Sequence, residues 1–476
     1  MRRTTSALAT VAVLAVVGCA VGPDYHRPVV SAPAAFRGET GPLDPASLAD
    51  LPWWEVFEDT TLQDLIREAL AGNYDLRIAV ARVEQARALA GVARAEFFPW
   101  INYQAGVQRD RGVFKFTPDL ELPQGGTDNL FLGGLAATWE IDVWGRIRRS
   151  NEAARAELLA TEEGRRGVLL SLVSDVAQAY FDLLALDWRL TIARDATDSF
   201  GRTYQLFRRR FELGLVSTLQ TSRAEGALAS AAAAVPDIER QIAVKENQIN
   251  VLLGRDPLAV PRGRLLAEQR LPPAVPPGLP SALLERRPDV RQAEQRLAKA
   301  NAQIGVAKSS FFPRIGLTAL VGGVSPELSA ITGGTASVWA LAGSVAGPIF
   351  QGGRILESYR ASVAAWEQSR LQYELAAVRA FQEVSDAVVA LQKLAQFEAE
   401  QTRTVTAYEQ SVRVANRRYL GGLASYYEVL EAQQLLFPAQ DLLARVRRDR
   451  FVALVSLYKA LGGGWNLTEQ QWRAER

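Results

Sequence analysis

Residues 91–99 read GVARAEFFP and residues 305–313 read GVAKSSFFP, so one nine-residue segment recurs 214 positions later. A companion offset of 208 carries Gly145-Arg146 onto Gly353-Arg354, and Arg210-Phe211 with Gly214-Leu215 onto Arg418-Tyr419 with Gly422-Leu423. Asp75 answers Asp289 in the first register. A chain that repeats itself over such a length is one structural unit built twice, and any solution found for one copy must serve the other.

Each copy has the same plan. Repeat 1 covers 61–253: a helix at 61–96, a β-hairpin at 97–144, a long helix at 146–213 and a helix at 217–253. Repeat 2 covers 286–461: a helix at 289–310 with Asp289 as its N-cap, a hairpin at 312–350, a long helix at 354–420 and a helix at 424–461. Between them, 254–285 is a connector broken by Pro257, Pro261, Pro272, Pro273, Pro276, Pro277 and Pro280, which bar a helix there. Residues 19–60 form a tether and equatorial segment, and 462–476 a tail.

Helix 146–213 has no internal proline; at 1.5 Å per residue it is about 100 Å long, beyond the reach of a globular-domain helix. Leu172, Val176, Ala179, Leu183, Leu186 and Leu190 step by four and three, as in a coiled coil. Val173, Ala177, Tyr180 and Leu184 make a second apolar seam beside it, which suits a helix with a neighbour on each side. No stretch past residue 18 reads as a membrane-spanning helix.

The segments between helices alternate with period two. Ile101, Tyr103, Ala105 and Val107 take turns with Asn102, Gln104, Gly106 and Gln108, and Ala137, Trp139, Ile141 and Val143 with Thr138, Glu140 and Asp142. Ile315, Leu317, Ala319 and Val321, then Trp339, Leu341 and Val345, repeat the theme. Any half-buried sheet shows this pattern, but Phe97, Phe98, Trp100, Trp139 and Trp144 cluster at strand ends like the aromatic girdle of a membrane barrel. Four strands cannot close a barrel, and open strand edges cannot face lipid. Several chains must share one barrel, and twelve strands from three chains is a comfortable closed size.

Arg2 and Arg3 precede an apolar run from Ala7 to Val17 that ends in small residues before Cys19, the only cysteine. This reads as a lipoprotein signal peptide, 1–18, with Cys19 lipidated. The lone histidine, His26, lies in the tether, so no histidine triad, zinc site or thiolate chemistry is available and the expectation is a protein that is not an enzyme. A net charge of +2 argues against nucleic-acid binding.

Taken together, Cys19 with Gly22-Pro23-Asp24-Tyr25-His26-Arg27-Pro28, Arg286-Arg287-Pro288-Asp289-Val290, the paired Phe-Phe-Pro sites, Arg418-Tyr419-Leu420-Gly421-Gly422 and Leu457-Tyr458-Lys459-Ala460-Leu461-Gly462-Gly463-Gly464-Trp465 resemble the TolC-like outer-membrane efflux factors. The likeness is to the lipoprotein branch serving resistance-nodulation-division pumps. The resemblance implies a mainly α fold with membrane β: a homotrimeric twelve-stranded outer-membrane β-barrel continued by a twelve-helix periplasmic α-barrel. It also implies a periplasmic adaptor and an inner-membrane pump as partners, outer-membrane lipid around the barrel, and no cofactor besides the lipid on Cys19.

The long helices start where strands end, so the turns at Gly214 and at Gly421-Gly422 form the periplasmic mouth. Just past the second turn, Glu428 and Glu431 share a helix face; in a trimer they make six carboxylates around one aperture. Alone, the pair also reads as a solvated helix face. The resemblance matches Tyr419 to a gate tyrosine and the two glutamates to an acidic ring. Arg417 and Arg418 read either as ties that hold the mouth shut or as plain surface arginines at a helix C-terminus. Gln220 stands at the position equivalent to Glu428, where the family often places an aspartate, so a looser or differently wired gate is expected. Pro438 should kink the last helix. Two other readings stand beside the efflux duct: an exit duct for type I protein secretion, and a structural outer-membrane lipoprotein without a pore.

Overall fold

The computed structural model describes residues 20–39, 47–111, 127–272, 277–464 and 467–468. Cys19 with its leader, Pro273 and Pro276 of the connector, Trp465 and most of the tail lie outside these residues. The chain divides into two compact units, 1–28 with 84–160 and 294–372, and 29–83 with 161–293 and 373–476.

The first unit holds a four-stranded antiparallel sheet in the order β1 (Trp100–Arg111), β2 (Thr127–Ile141), β3 (Arg314–Ser325) and β4 (Ser337–Ala346). Its register sorts the alternating residues onto faces. Tyr103, Leu135, Val321 and Trp339 lie in one cross-strand row, and Ile101, Ala137, Ala319 and Leu341 in the next. Both copies therefore turn their apolar residues the same way, and these side chains are exposed: Tyr103 is 86% and Trp339 81% accessible. The opposite face carries Asn102, Gln104, Thr138, Glu140, Thr318 and Ser344.

At the base of this sheet Trp144 stacks on Phe312 at 4.6 Å and donates from Nε1 to the Pro313 carbonyl at 2.7 Å, joining the two repeats. The tether is lashed to the same place. Val21 N donates to the Trp144 carbonyl, Asp24 binds the buried Arg149 guanidinium at 2.7 Å, and Arg27 pairs with Glu294 at 3.1 Å.

The second unit is helical. Helix α1 (Thr60–Gly72) and helix α2 (Tyr74–Ala95) replace the single helix expected over 61–96. Asn73, 3% exposed, breaks it: its Oδ1 accepts from Leu76 N to start α2, while its Nδ2 donates to the Leu252 carbonyl. A capping side chain thus wins over helix continuation. Long helices α3 (Arg146–Glu212) and α6 (Arg354–Leu420) have 67 residues each. Each is followed by a shorter helix, α4 (Thr218–Leu253) and α7 (Tyr426–Ala460). Helix α5 runs Pro288–Ser309. It starts at the proline, so Asp289 lies in the first turn and is not the N-cap; proline's fixed φ and absent N–H suit the first helical position. Helix α7 continues unbroken through Pro438, as α4 does through Pro236.

Both seams of α3 are buried: Val173, Val176, Ala177, Tyr180 and Leu183 have no accessible surface. One 18-residue window of α3 is apolar enough to cross a bilayer, against the expectation above, but 72% of it is buried in protein. Its apolarity comes from having two seams to fill. The connector docks here onto Asp59 of the equatorial segment, which is 4% exposed and accepts from Arg264 N and Gln269 Nε2. Asp59 caps α1 through Thr61 N at 2.9 Å and accepts from the Tyr180 hydroxyl at 3.0 Å. That hydroxyl in turn accepts from Gly263 N at 2.8 Å. Burial pushes the Tyr180 phenol well above its ordinary pKa, so it stays a neutral donor to Asp59.

Candidate functional site at the helical tips

Each long helix must reverse into the next one, and both do so by the same device. In the first turn Leu215 N donates to the Arg210 carbonyl and Gly214 N to that of Phe211, both at 2.8 Å. In the second, Leu423 N donates to the Arg418 carbonyl at 2.8 Å and Gly422 N to that of Tyr419 at 3.0 Å. Gly214 and Gly422 take φ of 72° and 68°, the left-handed conformation that this paired-bond helix stop demands. Gly421 precedes it and donates to the Arg417 carbonyl.

These turns leave Leu213, Leu215, Leu420 and Leu423 exposed, from 69% to 83%. Past the first, Ser217 N donates to Gln220 Oε1 at 2.9 Å, closing a capping box. The Gln220 amide is thereby committed to its own helix start.

Past the second turn, Glu428 and Glu431 both stand on the exposed face of α7, with Val429, Leu430 and Ala432 buried behind them. Arg418 bridges the turn, its Nε 3.5 Å from Glu428 Oε2 and its Nη2 3.4 Å from the Leu423 carbonyl. Among the described residues the Arg417 and Glu431 side chains have no polar partner within the chain. Tyr419 is half-buried. The Arg210 guanidinium lies 5.3 Å from its ring centroid, and among the described residues the buried Tyr419 hydroxyl meets no hydrogen-bond partner. So Arg418 and Glu428 pair across the turn, Tyr419 packs apart from them against Arg210 and Tyr426, and Gln220 and Arg417 join neither group.

One residue of this cluster, Tyr426, escaped the sequence reading. Tyr426 packs edge-on against Tyr419 at 4.8 Å and Phe207 at 5.1 Å, and hydrogen-bonds Thr203. Nothing in the Ser-Tyr-Tyr run separates it from its exposed neighbour Tyr427, and only packing does. The aromatic girdle also needs correcting. Trp139 stands on the apolar face and Phe98 is exposed, but Trp100 lies opposite Thr138 on the polar face. Trp144 is half-buried on Phe312 and Phe97 is half-buried, its carbonyl accepting from Trp139 Nε1. Strand parity, not proximity to a strand end, decides which aromatic faces outward. Tyr103 and Trp339 stand on the apolar face instead.

An edge-open sheet with one apolar exposed face, in a chain with two 67-residue helices, is the pattern of an outer-membrane channel protein. The family model for outer membrane efflux proteins matches residues 65–255 and 279–463, and the chain belongs to that family. It is 34% identical over 471 residues to the probable efflux pump outer membrane protein TtgC of Pseudomonas putida KT2440, covering 97% of this chain and 96% of that protein. It is 32% identical to the cation efflux system protein CusC of Escherichia coli O6:H1, covering 95% and 97%. The open-state crystal structure of the Neisseria gonorrhoeae MtrE outer membrane channel superimposes with a TM-score of 0.84 at 30% identity, over 94% of this chain and 99% of that one.

Proposed function

We propose that three copies of this chain form one duct, a twelve-stranded outer-membrane barrel continued by a twelve-helix tunnel, with Cys19 lipidated. The duct passively conducts small molecules handed over by an inner-membrane resistance-nodulation-division pump through a periplasmic adaptor. It performs no catalysis and uses no cofactor. The observation that carries this reading is the sheet: β1 and β4 are edge strands of 12 and 10 residues, and a lipid-facing edge must find a partner strand. Apolar residues exposed on α2 (Ile78, Leu89, Val92) and on α6 (Leu371, Leu375, Val378) supply flanks for the neighbouring copies. The leucines at the two turns offer an apolar surface to the adaptor.

In this reading the mouth closes at the second turn, with Glu428 and Glu431 as the acidic ring and Arg417, Arg418 and Tyr419 beside it. Gln220, spent on its own capping box, leaves the mouth with one fewer charged tie than an aspartate would give. Removing six carboxylates from a narrow aperture removes its preference for cations. Glu428→Gln/Glu431→Gln is therefore expected to bring the cation-to-anion permeability ratio close to one, read from the reversal potential across a salt gradient. An unchanged ratio would place the selective constriction elsewhere.

A further inference from the structure

The second hairpin is fastened to α3 by contacts that the acidic ring and its arginines do not involve. Ser199, Thr203, Phe207 and Arg210 recur at helical spacing along one stripe of α3, and each meets the second hairpin. Gln433 Nε2 donates to Ser199 Oγ at 2.9 Å. Tyr426 and Thr203 share a short hydroxyl–hydroxyl bond. Phe207 takes the edge of the Tyr426 ring, and Arg210 covers the ring of Tyr419.

The direction of the hydroxyl bond follows from counting protons. Thr203 is 2% exposed and its one hydroxyl proton goes to the Ser199 carbonyl at 3.0 Å, so the Tyr426 phenol donates to Thr203 Oγ1. Burial raises the pKa of that phenol above its ordinary value, so the donor proton is retained. A few neutral hydrogen bonds and ring contacts hold α7 to α3 here, with no charge pair among them, the modest strength a reversible catch requires.

We propose that Tyr426 is the latch residue of the duct: its bond to Thr203 keeps the tip of α6 and α7 against α3, and opening of the mouth requires that bond to break. This rests on the reading that the mouth closes at the second turn. Tyr426 is a positioning residue, since it carries no charge and acts by holding Glu428 and Tyr419 in place.

The test uses the full-length protein in planar bilayers. Tyr426→Phe keeps the ring and Thr203→Val keeps the side-chain shape; both remove the bond between the two hairpins, and Thr203→Val also gives up the hydroxyl's bond to the Ser199 carbonyl within α3. Each is expected to raise open probability by about fivefold for every copy whose tip must release, the size of one net hydrogen bond, and the double variant no further, because the second change has nothing left to break. Wild-type open probability in both single variants overturns the latch, as does a double variant whose effect is the sum of the two. If those variants are silent while Glu428→Gln/Glu431→Gln shifts selectivity, the mouth stays at the second turn and only the latch falls. If neither set has any effect, the placement of the mouth falls with it.

Discussion

Arg287→Ala is expected to cost about 3 kcal/mol or more of folding stability, the range for removing one partner of a buried ion pair. Arg287 is 6% exposed and every donor of its fork but one is committed. Nε and Nη2 take the two oxygens of Asp289 at 2.9 and 2.6 Å. Nη1 reaches Glu383 at 2.6 Å and the Ala460 carbonyl at 2.9 Å. One guanidinium therefore joins the start of α5, the middle of α6 and the end of α7. Burial by itself works against the charge, but the two carboxylates outweigh it and hold the guanidinium pKa above its ordinary value. Asp289 and Glu383 are each about half exposed, which lets water recover part of the loss and keeps the figure at the lower end. Chemical denaturation of the purified protein measures it. Arg287→Lys should recover little, because an ammonium cannot bridge a carboxylate in the planar fork; a fully stable alanine variant would show that the three helices hold together without it.

Gly254→Val is expected to be at least as damaging, on the order of 3–5 kcal/mol. Gly254 ends α4 with φ 74° and ψ 30°, a conformation that a β-branched residue adopts only under strain. A Cβ there would also lie 2.3 Å from the Gly72 carbonyl oxygen. The contact is reciprocal: a Cβ on Gly72 would lie 2.4 Å from the Leu253 carbonyl oxygen. Backbone meets backbone at the point where α1 breaks, and neither side can yield as a flexible side chain would. The expected readout is loss of folded protein from the membrane fraction, with Gly226→Ala, which has open space around its Cβ, as a control that stays near wild type. Normal yield and stability for Gly254→Val would mean that the ends of α1 and α4 can separate.

The architecture was readable wherever one residue pattern had one physical solution. The two seams of α3 require partners on two sides, and Val176 and Tyr180 find them. The period-two alternation of Ile101 to Val107 and of Ile315 to Val321 requires a two-faced sheet, and the register aligns both copies on one apolar face. What escaped depends on contacts far apart in sequence. Asn73 looks like an ordinary polar residue in a helical run until Leu252 arrives to take its amide. Trp100 is aromatic at a strand start, yet its pairing with Thr138 turns it to the polar side. At the tips, the glycine positions followed from turn chemistry. Tyr426 could not be chosen over Tyr427, because its partners Thr203 and Phe207 lie more than two hundred residues upstream.

Single-channel recording of the wild-type protein, purified from membranes and reconstituted into planar bilayers, tests the duct most directly. Small cation-selective unitary currents are predicted, with a higher open probability when Tyr426→Phe loosens the mouth. A membrane that stays silent for the wild type, for Tyr426→Phe and for Glu428→Gln/Glu431→Gln alike would contradict a conducting pore and leave a structural outer-membrane lipoprotein.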